Sequence, residues 1–176
     1  MAPEKVIPLD QAVERIRELK RQGRRVVFTN GCFDLFHPGH ARYLAEARKL
    51  GDVLVVAVNT DRSVRALKGP GRPIIPEAER AETLAALACV DYVTVFDDLT
   101  PLPVIARLLP QILVKGGDWG LEEIVGRKEV EAAGGKVIAI PVVPGYSTSS
   151  MIEAALKLGL RTQNYRGAEK PLKLSS

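Results

Sequence analysis

The chain has 176 residues, 46% hydrophobic and 26% charged, the size and balance of one globular domain, which excludes disorder of the whole chain. Its net charge of +4 favours anionic partners in general, but aromatics are only 5% and none alternates with basic residues, so nucleic-acid binding is not expected. No apolar run approaches the roughly 18 residues of a membrane span, the opening MAPEKVIPLD has no signal core, and Cys32 and Cys89 show no metal-ligand spacing, so a cytoplasmic protein with no membrane partner is expected.

Leu9, Val13, Ile16 and Leu19 recur at helical spacing, with Asp10 as a candidate cap and an end near Gly23. The cations between Arg15 and Arg25 then belong to a solvated helix face. Residues 25–30 form a short apolar run that reads as a buried strand ending at Asn30. Residues 41–50 are helical by composition, and Gly51 ends them. Val53–Asn59 is the clearest strand. Asp61 is placed to cap a short helix reaching Lys68. Glycine and proline make 69–75 a loop, and Pro76 suits the first turn of a helix running to about Ala88. Strands are expected at Tyr92–Phe96, Ile112–Lys115 and Lys136–Ile140. Helices are expected near Pro103–Leu109, over Leu121–Ala133, and from Thr148 to Gly159.

Strand and helix alternate throughout. This predicts an α/β protein: a single Rossmann-like domain whose parallel sheet of about five strands has helices on both faces. The domain is expected over residues 1–160, with the first helix in 1–24, the core in 25–158 and a polar tail at 161–176. Right-handed crossovers place ligands at the carboxyl ends of the strands, where the strand order reverses. The loops after Asn30, Asn59, Lys115 and Ile140 are therefore where chemistry is expected.

The first strand runs into Thr29-Asn-Gly-Cys-Phe-Asp-Leu-Phe-His-Pro-Gly-His40, which holds both histidines of the chain. A helix N-terminus offers unpaired N–H groups and partial positive charge to a phosphate. Gly39 lets a ligand approach the backbone, and Pro38 stiffens the turn. His37 and His40 can each donate a hydrogen bond to a phosphoryl oxygen. The bland alternative is a pair of satisfied histidines near a helix cap. The turn lacks both GxGxxG and GxxxxGK[ST], which disfavours a dehydrogenase and a P-loop kinase.

His37-Pro-Gly-His40 resembles the HxGH signature of the nucleotidylyltransferase superfamily. Class I aminoacyl-tRNA synthetases share it but are much longer, and no KMSKS-like segment is present. Further segments sharpen the resemblance: Leu50-Gly-Asp-Val-Leu-Val-Val-Ala-Val-Asn-Thr-Asp61, Leu67-Lys-Gly69 with Arg72-Pro73, Leu113-Val-Lys-Gly-Gly-Asp118, and Gly145-Tyr-Ser-Thr-Ser149. Together, over about Val26 to Leu158, they are similar to the heptose 1-phosphate adenylyltransferase branch, best known as one half of a bifunctional kinase/adenylyltransferase. The kinase half is absent from this sequence, so a stand-alone transferase is expected.

The resemblance implies transfer of AMP from ATP to a sugar 1-phosphate, giving ADP-heptose and pyrophosphate for lipopolysaccharide or surface polysaccharide precursors. It implies that Asn30, Gly31, Cys32 and Phe33, with the His37–Gly39–His40 turn, hold the nucleotide, and that Lys68 bridges the phosphates of nucleotide and acceptor. Arg72 and Arg80 are candidate clamps for the acceptor phosphate, or equally solvated charges. Gly116 allows backbone approach to base or ribose, and Asp118 can accept a hydrogen bond there, unless the segment is a plain tight turn. Trp119 is a pocket wall or core. Ser147, Thr148 and Ser149 open the last helix and are placed for the leaving pyrophosphate, with ordinary capping as the other reading. Cys32 reads as a small buried residue and Cys89 as core.

The entering sugar phosphate is already anionic at pH 7, so no general base is needed, and catalysis is positioning plus electrostatics. Mg²⁺ is expected to ride mainly on the nucleotide phosphates, with no protein metal ligands, and the family suggests a homodimer. Two rivals stand beside this reading. One is a cytidylyltransferase for glycerol phosphate or a related polyol; those enzymes carry an arginine where this chain has Val142, which weakens it. The other is a non-catalytic nucleotide-binding subunit, against which the intact histidine pair and Lys68 argue.

Overall fold

The computed structural model describes residues 2–117, 120–141 and 145–159; Asp118, Trp119, Val142 and the tail at 161–176 lie outside them. Five strands, β1 (Val26–Gly31), β2 (Val53–Asn59), β3 (Tyr92–Phe96), β4 (Ile112–Gly116) and β5 (Lys136–Ile140), form one sheet. All neighbours are parallel, in the order β3-β2-β1-β4-β5. The helices are α1 (Leu9–Arg21), α2 (Pro38–Lys49), α3 (Asp61–Lys68), α4 (Glu77–Ala85), α5 (Leu102–Leu108), α6 (Arg127–Ala132) and α7 (Thr148–Gly159). This is the Rossmann-like α/β domain that the alternating pattern predicts.

Strand alternation sorts the core into two layers. On one face Val26, Phe28, Val55, Ala57 and Leu113 pack against Ile16 of α1, Ile105 of α5 and Val130 of α6. On the other face Val27, Leu54, Val56, Val58 and Val114 pack against Leu44 of α2 and Leu84 of α4. With both faces covered, the strands are near-continuous apolar runs.

The helix starts depart from expectation in instructive ways. Pro8 is the N-cap of α1, while Asp10 lies in its first turn and pairs with Arg107 at 2.5 Å. Thr60, not Asp61, caps α3: its hydroxyl accepts from Ser63 N at 3.1 Å. α2 begins at Pro38 instead of Ala41, because the His37 side chain is its cap. Pro76 is the N-cap of α4, which ends at Ala85, short of Ala88. The helix expected over 121–133 is broken into a 3-10 turn, Leu121–Glu123, and α6. Gly126 causes the break: its φ is +87°, and a Cβ there would lie 2.7 Å from Ile105.

The strand order reverses at β1. β1 pairs with β2 along its whole length, but with β4 only through Val27↔Ile112 and Phe28↔Leu113. Past Phe28 the carboxyl ends of β1 and β4 part, and the sheet opens at its switch point.

Candidate active site

A cleft of about 540 Å³ occupies that opening. Its floor is the β1–α2 loop, where Phe33 (φ +48°) and Leu35 (φ +47°) both take left-handed backbone. Such conformations cost about 1–3 kcal/mol each and persist only where the surroundings impose them. Phe33 is buried, and Asp34 between the two is 1% exposed and held from several sides. Asp34 Oδ2 accepts from Arg72 Nε at 2.5 Å and Ile74 N at 2.9 Å, and Oδ1 accepts from Ile75 N at 2.9 Å. Its backbone oxygen accepts from Thr148 Oγ1 at 2.8 Å. Asp34 thus ties the 69–75 loop and the start of α7 to the floor. Burial alone would push its carboxyl pKa up, but the backbone donors and Arg72 outweigh burial and hold it below the ordinary value.

The two histidines meet at the mouth of α2. Their rings stack with centroids 3.7 Å apart and 13° between planes. His37 Nδ1 accepts from His40 N at 3.3 Å, so the proton of the neutral ring sits on Nε2. Burial lowers the His37 pKa; burial and the adjacent His37 bring His40 down to about 4. Both rings are therefore neutral at pH 7, and each presents one N–H. His40 Nδ1 is buried without a partner among the described residues. Gly39 is closely surrounded: a Cβ would sit 3.0 Å from both the His37 ring and Tyr146 Cβ and would make one of them shift.

The profile of the cytidylyltransferase-like family matches residues 28–154, most of the chain. The chain belongs to the cytidylyltransferase-like family. It is 57% identical over 152 residues to the bifunctional protein HldE of Citrifermentans bemidjiense, covering 86% of this chain and 31% of that one. Against the HldE of Geobacter sulfurreducens the identity is 54% over 153 residues, covering 87% and 31%. The chain thus spans about a third of the length of the curated relatives it matches. A lipopolysaccharide core biosynthesis protein from Thermoplasma volcanium superposes with a TM-score of 0.57 at 28% identity, over 69% of this chain and 98% of that one. A pantoate–β-alanine ligase from Francisella tularensis, at 16% identity and a TM-score of 0.57, covers 93% of this chain and 82% of its own and shares the fold.

The cytidylyltransferase-like cleft gathers most of the residues singled out from the sequence. Asn30, Gly31, Cys32, Phe33, His37, Gly39, His40, Lys68, Arg72, Gly116, Ser147, Thr148 and Ser149 all line it. Ser147 Oγ also accepts from Ser150 N at 3.0 Å, so capping and cleft lining coincide at α7. Burial raises the Cys32 thiol pKa despite Lys68 and the arginines nearby, which leaves it neutral. Asp118 lies outside the described residues.

Arg80 is the correction. It does not line the cleft; it is 1% exposed and its donors are spent internally. Nε donates to Ile75 O at 2.9 Å, Nη1 to Cys32 O at 2.5 Å, and Nη2 to Asn59 O and Asp61 Oδ1, both at 2.8 Å. It stitches the ends of β1 and β2 to the α3–α4 loop. A charged residue on a helix reads as solvated or ligand-binding until tertiary contacts show it buried.

Sequence reasoning also missed residues. Asp34 stands inside the signature segment, but nothing local marks it as a three-way tether. Lys115 precedes the glycine pair and lines the cleft, half-buried. Tyr43, one turn into α2, donates to Val114 O at 3.2 Å and shares a 2.6 Å hydrogen bond with Thr29; burial pushes its pKa up to about 12. A Cβ on Gly116 would lie 3.1 Å from its ring. Leu99 and Pro101 reach the cleft from a loop with no sequence signal, and Tyr146 reaches it from within the Gly145–Ser149 segment.

Proposed function

We propose that this chain transfers AMP from ATP to a sugar 1-phosphate, heptose 1-phosphate foremost, giving ADP-heptose and pyrophosphate for lipopolysaccharide or surface polysaccharide precursors. The observation that carries the reading is the pair of neutral, stacked imidazoles at the mouth of α2, facing a cationic cleft at the sheet's switch point. The similarity to HldE proteins supports the choice of acceptor.

In this reading His37 Nε2–H and an N–H of His40 donate to the α-phosphate, whose oxygens gain charge as the fifth P–O contact forms. An acceptor phosphate oxygen attacks the α-phosphorus, the α–β P–O bond breaks, and pyrophosphate leaves with the electron pair. The N–H groups and hydroxyls at the start of α7, Ser147 to Ser149, receive that pyrophosphate. Asn30, Gly31, Phe33 and Gly116 frame ribose and base. Arg72, oriented by Asp34, faces the acceptor, and Arg80 acts by holding the loops that carry Cys32 and Ile75.

Mg²⁺ bound to the nucleotide would neutralise phosphate charge. Asp34 is the only carboxylate among the described cleft residues, and it is committed to Arg72 and two backbone N–H groups. No group of three or more His, Cys, Asp or Glu among the described residues is placed to hold a metal. The donor set therefore fits a metal carried on phosphate oxygens.

No helix of the described residues is long and apolar enough to cross a membrane. A cytoplasmic homodimer is part of the proposal, supported by free cysteines and by the exposed Met151, Leu156 and Leu158 of α7; light scattering of the purified chain tests the dimer.

The deciding experiment measures pyrophosphate release with ATP or CTP against α and β heptose 1-phosphates and polyol phosphates. Release with ATP and a heptose 1-phosphate is expected. Release only with CTP and a polyol phosphate, or ATP binding without release for any acceptor, would overturn the reading.

A further inference from the structure

The charges lining the cleft do not all have partners. Among the described residues they are Asp34, Lys68, Arg72 and Lys115. Asp34 and Arg72 form a salt bridge and cancel. Lys68 and Lys115 both line the cleft and form no salt bridge with any described residue. Two uncompensated ammonium groups match one phosphate monoester dianion.

Strand parity says which side of the cleft Lys115 serves. Lys115 follows Leu113, Asn30 follows Phe28 and Asn59 follows Ala57 on the face that packs against α1 and α5. Pro101, the N-cap of α5, and Leu99 wall the same side. The histidines belong to α2, which covers the opposite face, and Tyr146 at the start of α7 stacks against His37 with centroids 6.3 Å apart. A leaving pyrophosphate at α7 is thus on the α2 side. In-line displacement requires the entering oxygen to come from the other side of phosphorus.

We propose that Lys115, together with Lys68, seats the acceptor's phosphate on the α1/α5 side of the sheet edge, and that attack on the α-phosphorus comes from there. This rests on the transfer reading above and adds to it an acceptor-binding residue. Burial lowers the Lys115 pKa, and the nearby Lys68 lowers it further, as expected for an ammonium held in place without a counter-ion. A phosphate entering between the two lysines relieves that repulsion.

The test compares wild type with Lys115→Met and Lys115→Arg, following the acceptor KM, kcat, and calorimetric binding of a non-hydrolysable ATP analogue. Lys115→Met is expected to raise the acceptor KM at least about tenfold, the loss of one charge-assisted hydrogen bond. Analogue binding should stay within about twofold, and Lys115→Arg should recover most of the loss. An unchanged acceptor KM in Lys115→Met, or a loss confined to analogue binding, overturns the proposal. Absence of turnover in wild type strikes the transfer reading instead. In that case calorimetric titration with heptose, hexose and glycerol phosphates still decides the role of Lys115: binding lost in Lys115→Met supports it, and equal binding or none to wild type refutes it.

Discussion

Replacing Arg80 by methionine separates a tether from a substrate clamp. The guanidinium is 1% exposed and donates to three backbone carbonyls and to Asp61. Methionine fills similar space but donates nothing. Asp61, whose side chain is 27% exposed, can rehydrate, so the loss does not sum over every bond. Removing one partner of a buried ion pair typically costs about 3–5 kcal/mol, and the stranded carbonyls keep the value in that range. For a chain of this length each kcal/mol lowers Tm by about 2–4 °C, so Arg80→Met should melt roughly 6–20 °C below wild type. Thermal and urea unfolding followed by circular dichroism measure it. A variant with wild-type stability and only a raised acceptor KM would refute the tether and return Arg80 to the acceptor site.

Four further outcomes concern the histidine turn. His37→Ala and His40→Ala should each lower kcat by about 10²–10³, the cost of one preorganised donor. Only His37→Ala should also lose about 1 kcal/mol in urea unfolding, because His37 caps α2; equal stability of the two variants would remove the cap from the account. Because the folded pKa of His40 lies near 4, below its ordinary 6.5, the unfolded chain binds its proton first on acidification. Its contribution is therefore intact above about pH 6.5 and is lost as pH falls towards 4, by at most about 3 kcal/mol. Urea midpoints of wild type and His40→Gln at pH 7.5 and 4.5 should show a smaller acid loss in the variant; parallel losses would contradict the burial argument. Gly39→Ala should cut kcat by up to about 100-fold with little change in Tm, since the new methyl displaces the His37 ring against Tyr146. Retained turnover would mean that the stacked geometry is not what the reaction uses.

The five strands were legible because each is an apolar run between turn residues. β2, β3 and β5 fall on their expected bounds, and the parallel order then places the site at the ends of β1 and β4. Helix boundaries were less legible, since caps depend on which side chain reaches which N–H: His37 begins α2 three residues early and Thr60 displaces Asp61. The signature turn was visible locally because its chemistry is contiguous, from Asn30 to His40.

Amino-acid order by itself determined the alternation of strand and helix and the pairing of two histidines at one helix mouth, because both are short-range properties of the chain. Only the tertiary structure decided how the cations divide among roles. Arg80 is buried in carbonyls, Arg72 is held by Asp34, and Lys115 is left facing the cleft. The worth of a charge depends on its desolvation and its partners, and those come from residues as far apart in sequence as Asp34 and Thr148.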